Sequence, residues 1–315
     1  MNGSDPSTSA QLLAKLGLPP QDPVPAPRSA LRFADGSAYR FEIPSTEGPA
    51  CLSAALAAAA DLDVPVHRFS QGSGVFMLTD AELDAMAGTA AEAGVELSLF
   101  ARPAAGWDTS ATAVAASGGA LFSAARGTSQ LRYVLDDIVR AAGHGIRSVL
   151  IADLGVLASF SRLRELGDLP ASMQAKVSVM LPAANPATAR ILVEHGANTL
   201  NLPPDLSISQ IAAIRAVVPV PIDMYIEAPD GLGGFVRHHE TAELIAAAAP
   251  VYVKLGLRNA PDIYPSGTHL EPTAIALSRE RVRRARLVLE LLRRSGVPAP
   301  LTGTKPPDLA VPEPA

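Results

Sequence analysis

Between residues 38 and 294 the chain alternates short β-like runs with helical ones, and it does so eight times. The β-like runs are Ala38–Ile43, Pro65–Phe69, Glu96–Ala101, Ser148–Ala152, Ala175–Leu181, Thr199–Leu202, Ile222–Glu227 and Val251–Leu255. Neighbouring parallel strands need a crossover long enough to carry the chain back to the same edge, and a helix is the usual one. Eight such units fill a chain of roughly the size of a (β/α)8 barrel. The competing arrangement is an open doubly wound sheet, which more often has fewer strands and a Gly-rich first turn. No GxGxxG follows the first run and no GxxxxGK[ST] occurs anywhere, so nucleotide-fold signatures are missing. The expected fold class is therefore α/β, a single-domain (β/α)8 TIM barrel over residues 31–296. A flexible leader precedes it at 1–30, and a disordered Pro-rich tail follows at 297–315.

Local signals support the helical half of the pattern. Thr79-Asp80-Ala81-Glu82 opens a helix with a cap and early acids. Asn185–Glu194 runs into His195-Gly196, a helix stop at which His195 can cap carbonyls. Ser207–Val217 begins on a Ser cap, and Ser278–Arg294 is the long final helix, with an arginine-rich face expected in solvent. The third connection, Arg102–Gly127, is the longest and holds the lone tryptophan, Trp107. It is a candidate lid over the barrel mouth, or a surface excursion with no role.

Composition sets outer bounds. The 315 residues are 48% hydrophobic but only 4% aromatic, which suits an Ala-rich α/β protein. A net charge of −5 argues against a dedicated nucleic-acid surface. No apolar run reaches membrane length and no secretory leader is legible, so a cytoplasmic protein with no membrane partner is expected. The single cysteine, Cys51, lies in an Ala-rich helical run and reads as a core residue. One cysteine cannot hold an iron–sulfur cluster, so none is expected.

Strand alternation then sorts the side chains. One parity carries Arg40 and Glu42; Arg68 and Ser70; Ser98, Phe100 and Arg102; Lys176, Ser178 and Met180; Asn201; Asp223, Tyr225 and Glu227; and Tyr252 and Lys254, with Asp153 at the end of the fourth strand. The other parity is apolar, as in Tyr39-Phe41-Ile43 and Val177-Val179-Leu181. Outer faces must pack on helices, so the polar set faces the lumen. Barrel interiors are ordinarily filled with branched apolar residues, so these charges require either a site or an ion-pair network.

The segment from Ser148 to Ile214 narrows the identity. A strand ending in Ala152-Asp153, the turn Leu154-Gly155-Val156-Leu157, a strand beginning near Gln174, an Asn opening the next helix, and HGANTLNLPPDLSISQI follow in order. This succession resembles the peptidase U32 family of barrel proteins. Many members of that family carry cysteines after the seventh strand, several of them linked to an iron–sulfur cluster. Here that region reads MYIEAPDGLGGFVRHHE and has no cysteine. The resemblance implies the barrel, a site at the strand C-termini and, by the family's label, a hydrolase. It does not carry the cluster chemistry across.

Several chemistries fit the lumen residues. Glu227, Asp153, Lys254 and Tyr225 are the candidate acid–base set, with Glu227 or Asp153 as base, Lys254 or Tyr225 as acid, and a Schiff base on Lys254 as a branch. Glu42, Asp153, Glu227, His238 and His239 are the candidate ligands for a divalent metal such as Mg, Mn or Zn. Arg68, Arg102, Arg40, Asn201 and Arg237 are the candidate substrate contacts, and their charge predicts an anionic small molecule or peptide as partner. A lyase, isomerase or aldolase-type reaction, or a non-catalytic binding barrel, is the alternative to hydrolysis. A homo-oligomer stays open.

Overall fold

The computed structural model describes residues 8–102, 123–301 and 306–314, together with 112 and 115. The expected lid, with Trp107, therefore lies almost wholly outside the described residues. Eight parallel strands close in sequence order into a barrel: β1 (Tyr39–Ile43), β2 (Val66–Gln71), β3 (Glu96–Ala101), β4 (Ser148–Ile151), β5 (Gln174–Val177), β6 (Thr199–Asn201), β7 (Ile222–Glu227) and β8 (Val251–Leu255). β1 pairs with β8, with Glu42 opposite Lys254, and this contact closes the ring.

The described helices are α1 (Ser9–Lys15) in the leader, then α2 (Pro49–Asp61), α3 (Asp80–Ala93), α4 (Gly127–Gly143), α5 (Leu154–Leu166), α6 (Pro186–Glu194), α7 (Ile208–Arg215), α8 (Thr241–Ala248) and α9 (Glu271–Arg294). Thr79 and Ser207 form capping boxes with Glu82 and Gln210, and Asn185 caps α6. His195 caps as expected, its Nδ1 lying 2.8 Å from Ile191 O. The outward strand residues and the inner helix faces make one core, with Phe41, Val149, Val177, Met224, Val253 and Val288 all buried. Among the described residues no helix is long and apolar enough to cross a membrane.

Most boundaries fall within two residues of the sequence reading, and two differ by more. β5 ends at Val177 rather than Leu181, because Leu181 N–H closes a turn onto Ser178 O one residue before Pro182. Met180 thus leaves the lumen and sits in the loop above it. The last helix starts at Glu271 rather than Ser278, with Pro272 at its first turn.

The segment just before β1 and the described tail residues meet at the N-terminal end of the barrel. Phe33 is buried there, edge-on to Tyr252 at 5.0 Å and beneath the Arg40 guanidinium at 4.0 Å. Asp308 accepts from Arg40 at 2.9 Å and from Ala34 N–H at 3.0 Å, while Arg147 meets Glu313 at 2.9 Å. Charge pairing and the buried Leu309 and Ala310 hold the described tail residues there.

Candidate active site

The lumen is polar, as the alternation requires. Three carboxylates, Glu42, Glu96 and Asp223, meet three cations, Arg68, Lys176 and Lys254. Arg68 is the hub: it lies 2.7 Å from Glu96, 2.9 Å from Asp223 and 3.2 Å from Glu42, and it stacks on Tyr252 at 3.4 Å. Glu42 also pairs with Lys176, with Lys254 at 3.3 Å, and with the Ser70 hydroxyl at 2.7 Å. Asn201, with its amide oxygen towards Lys254, accepts from Nζ at 2.8 Å, and Lys254 lies 4.3 Å from the centre of the Tyr225 ring. Burial alone would raise the Glu42 pKa, but Lys176, Lys254 and Arg68 hold it well below the carboxylate range. Burial pulls the Lys176 ammonium down, against the attraction of Asp223 and Glu42. Charges balance three to three, and every member is buried.

β7 does not keep its parity to the end. Tyr225 stands opposite Lys254, but Glu227 stands opposite Leu255, so one extra residue is accommodated between them. Such a bulge turns the following side chain to the other face. Glu227 therefore leaves the lumen and points to the rim, where it meets α9. The Gly-rich loop after it folds back on the strand: Ala228 N–H donates to Phe235 O and Arg237 N–H to Ile226 O, both at 2.8 Å. Gly233 and Gly234 make that reversal at φ 94° and 63°, values that favour glycine. The return lays His238 against the strand end.

There His238 Nε2 lies 3.1 Å from Glu227 Oε2, at ion-pair distance but without hydrogen-bond geometry. Both buried atoms thus have no hydrogen-bond partner, and an ordinary rotation of the imidazole would join them. Glu227 Oε1 accepts from Arg258 N–H at 3.2 Å, and Arg284 of α9 stands 3.8 Å away. Burial raises the Glu227 pKa, but His238, the Arg258 amide and Arg284 outweigh it and leave the pKa below its ordinary value. The carboxylate is thus held ionised beside an imidazole, at the barrel end where the strands of this fold present their chemistry.

The remaining expected site residues scatter. Lys254 and Tyr225 stay together at the top of the lumen network, apart from Glu227. Asp153 caps α5: its Oδ1 accepts from Val156 N–H at 2.9 Å and its Oδ2 from Ala125 N–H at 3.0 Å. Arg40 sits at the opposite end of the barrel, second residue of β1, neutralised by Asp35 at 2.8 Å and by Asp308. Arg68 is saturated by its three carboxylates. Arg237 spends its guanidinium on Pro204 O at 3.0 Å, Leu206 O at 2.8 Å and Glu240 at 2.6 Å. Of the five expected substrate contacts, Arg102 and Asn201 keep a place facing the mouth, and Asn201 is committed to Lys254.

The expected metal set is not assembled. Glu42 is enclosed by cations, Asp153 is a cap, His239 is exposed, and only Glu227 and His238 meet. Among the described residues no three His, Cys, Asp or Glu side chains are grouped to hold a metal ion. Cys51 is buried in the α2 packing, far from supplying a cluster's donor set.

Three residues escaped the sequence reading. Glu96 completes the lumen network, and strand parity with Ser98 was its signal. Arg281, assigned to a solvated helix face, is 4% exposed. Its signal lay in the helical spacing of Ala274, Ser278, Arg281, Val282 and Ala285, which share one buried face. Glu47 is buried on the β1–α2 loop, accepting from Gly72 N–H at 2.7 Å and Ser73 N–H at 3.1 Å. Nothing in its local sequence marks it.

Residues 121–228 match the model of peptidase family U32, a stretch that runs from the end of the third connection through β7. Over that stretch the chain, a (β/α)8 barrel, is similar to the U32 family. Among solved structures, a U32 peptidase shares 16% identity over 60% of this chain and 69% of its own, at a TM-score of 0.38. A candidate lyase/mutase from Burkholderia cenocepacia shares 17% over 84% and 86%, at 0.45. A candidate fructose-1,6-bisphosphate aldolase from Coccidioides immitis shares 12% over 82% and 92%, at 0.50, a likeness of fold alone. No curated protein matches the sequence. The U32-like stretch includes Glu227 but stops before His238.

Proposed function

We propose that the chain is a U32-like barrel enzyme, a hydrolase of an anionic small molecule or peptide, in which Glu227 and His238 handle the proton. The observation that carries this reading is the contact of the Glu227 carboxylate with His238 Nε2 at the C-terminal barrel end. A carboxylate that engages one ring nitrogen favours the tautomer with its proton there, and leaves the other nitrogen as base. In an acyl hydrolysis His238 accepts a proton from water as the oxygen attacks the carbonyl carbon. The same proton then passes to the leaving amine or alcohol as the scissile bond breaks. Arg102 and Arg281, both buried near the mouth, favour an anionic substrate.

The competing chemistry is a lyase or aldolase-type reaction through Lys254 or Lys176. Burial pulls Lys176 towards its neutral, nucleophilic form, which favours that reading, whereas Glu42 bonded to both lysines opposes it. Two measurements separate them. Glu227→Gln and His238→Gln are expected to lower kcat on carboxylate-bearing peptide anilides by roughly a hundredfold or more, with unchanged circular dichroism. Unaltered turnover in both variants overturns the proposal. Borohydride in the presence of a keto acid is expected to leave the intact mass unchanged, and an adduct on Lys254 or Lys176 would transfer the assignment to the lumen.

A further inference from the structure

A second cluster lies on the same barrel face, between the loops after β1, β2 and β8, and neither the lumen network nor the Glu227–His238 pair uses it. Arg281 projects into it from α9. The guanidinium is buried, yet among the described residues it forms no ion pair. Its one hydrogen bond is Nη1 to Ser45 O at 3.3 Å, and its Nε has no partner. A buried guanidinium without a counter-ion is costly, by several kcal/mol in typical cases.

The surroundings are built around that charge. The Ser45 hydroxyl bonds the Tyr264 hydroxyl. The Tyr264 ring lies against Gly72, where a Cβ would come within 2.6 Å of it. Gly72 O accepts from Arg102 Nη1 at 3.1 Å, and Gly72 N–H donates to Glu47. A continuous chain of contacts thus runs Arg281, Ser45, Tyr264, Gly72, Arg102. Glu47 is the acid closest in effect to both arginines, but it is occupied by the two amides of Gly72 and Ser73. Burial raises its pKa, which weakens it as a counter-ion. Burial likewise lowers Arg281, and pulls Arg102 down to about 10.

We infer that Arg281 and Arg102, with the Tyr264 hydroxyl between them, form an anion subsite that takes the carboxylate or phosphate group of the substrate. This deepens the reading of the C-terminal face as the active site and replaces Arg40, Arg68 and Arg237 as its anion contacts. An incoming anion supplies the charge that Arg281 lacks, and a guanidinium holds a planar or tetrahedral oxyanion through two parallel N–H bonds. The subsite is then a specificity element, holding the far end of the substrate while Glu227 and His238 act on the scissile bond.

The test is a set of thermal melts on the full chain at constant ionic strength, with sodium phosphate, sodium succinate, or sodium chloride as the control. Wild type is expected to show a saturable rise in Tm with phosphate or with succinate and none with chloride. A response to phosphate alone assigns a phosphorylated substrate, and a response to succinate alone assigns a carboxylate. Arg281→Met is expected to abolish the rise while leaving the ligand-free Tm at or above wild type, because an uncompensated charge has gone. Arg102→Met should weaken the apparent affinity roughly tenfold. Absence of any saturable response in wild type overturns the proposal. So does an Arg281→Met protein that melts lower yet keeps the full response. Should that variant not fold, Arg281→Lys retains the charge without the fork: a weakened response upholds the subsite and an unchanged one overturns it. Glu227→Gln is expected to keep the anion response in full, so failure of the hydrolase reading and failure of the subsite are told apart.

Discussion

The lumen and the rim of this barrel hold the same kinds of side chain and put them to opposite uses. In the lumen, Arg68 touches three carboxylates and Glu42 meets three cations, so formal charge cancels and no member faces solvent. At the rim, Glu227 shares one imidazole and one amide, and Arg281 has a single carbonyl. A network whose charges cancel can hold strands together, and apart from the unpartnered Glu96 Oε2 it has little valence left for a substrate. An incomplete one is less stable and has somewhere to put a ligand. The charge that first marks the lumen as a site is therefore better evidence for structure, and the proposed function places the chemistry at the rim instead.

The largest effect that sharpens this contrast is in the lumen. Glu42→Gln removes one carboxylate from among Arg68, Lys176 and Lys254 and leaves three cations against two acids. Breaking one partner of a buried network typically costs about 3–5 kcal/mol. Urea unfolding should show a loss of that order, whereas Glu227→Gln should cost less, because Glu227 has one imidazole contact and one amide hydrogen bond where Glu42 has three cations. Equal losses at the two sites would erase the distinction.

Next in size is the lower edge of the barrel, where His67 is buried and accepts no charge. Its Nε2–H donates to Leu301 O at 2.9 Å, and its Nδ1 has no partner. Burial lowers its pKa from 6.5 to about 4. The folded protein therefore binds fewer protons than the unfolded chain between those values, and stability must fall as pH falls through that window. The loss is absent above pH 6.5 and reaches about 3 kcal/mol by pH 4. Denaturant melts from pH 7 to pH 4 should show that slope, and His67→Gln, which keeps a donor for Leu301 but cannot titrate, should flatten it. Glu42 adds loss only at more acidic pH, since its pKa is depressed. A slope unchanged in His67→Gln would move the acid sensitivity to the carboxylates.

How far the sequence led follows the same division. Eight alternations of strand and helix suffice for the barrel, because crossover geometry leaves few closed arrangements. Parity suffices for the lumen, since an outer strand face must be apolar. Parity fails at Glu227, because a single bulge in β7 is invisible to a period-two pattern, and it says nothing of what saturates a residue. Arg237 reads as a free cation until Pro204 and Leu206, a loop more than 30 residues earlier, present their carbonyls to it. Parity places Arg40 on the correct face but not at the correct end, although its position at the start of β1 sets it low in the barrel. The Glu227–His238 contact depends on two glycines at positive φ reversing the loop, which the run Gly231–Gly234 hints at without specifying.

Asp153 supplies the smallest and most discriminating test. It stands at the C-terminal end of β4, where a barrel places catalytic acids, and the sequence nominates it for both acid–base and metal roles. Both its oxygens are nevertheless occupied by backbone amides, Val156 N–H at the start of α5 and Ala125 N–H across the loop. A carboxylate so used is a helix cap that also ties down the segment leading into α4. Asp153→Ala should cost about 1 kcal/mol, as lost caps do, and Asp153→Asn, which keeps one acceptor, should cost less. Neither change should shift kcat or its pH profile beyond what the loss of folded protein explains. If Asp153→Asn instead abolishes turnover in a protein of normal Tm, the catalytic acid belongs to β4, and the division between a saturated interior and a reactive rim must be redrawn to place the chemistry between them.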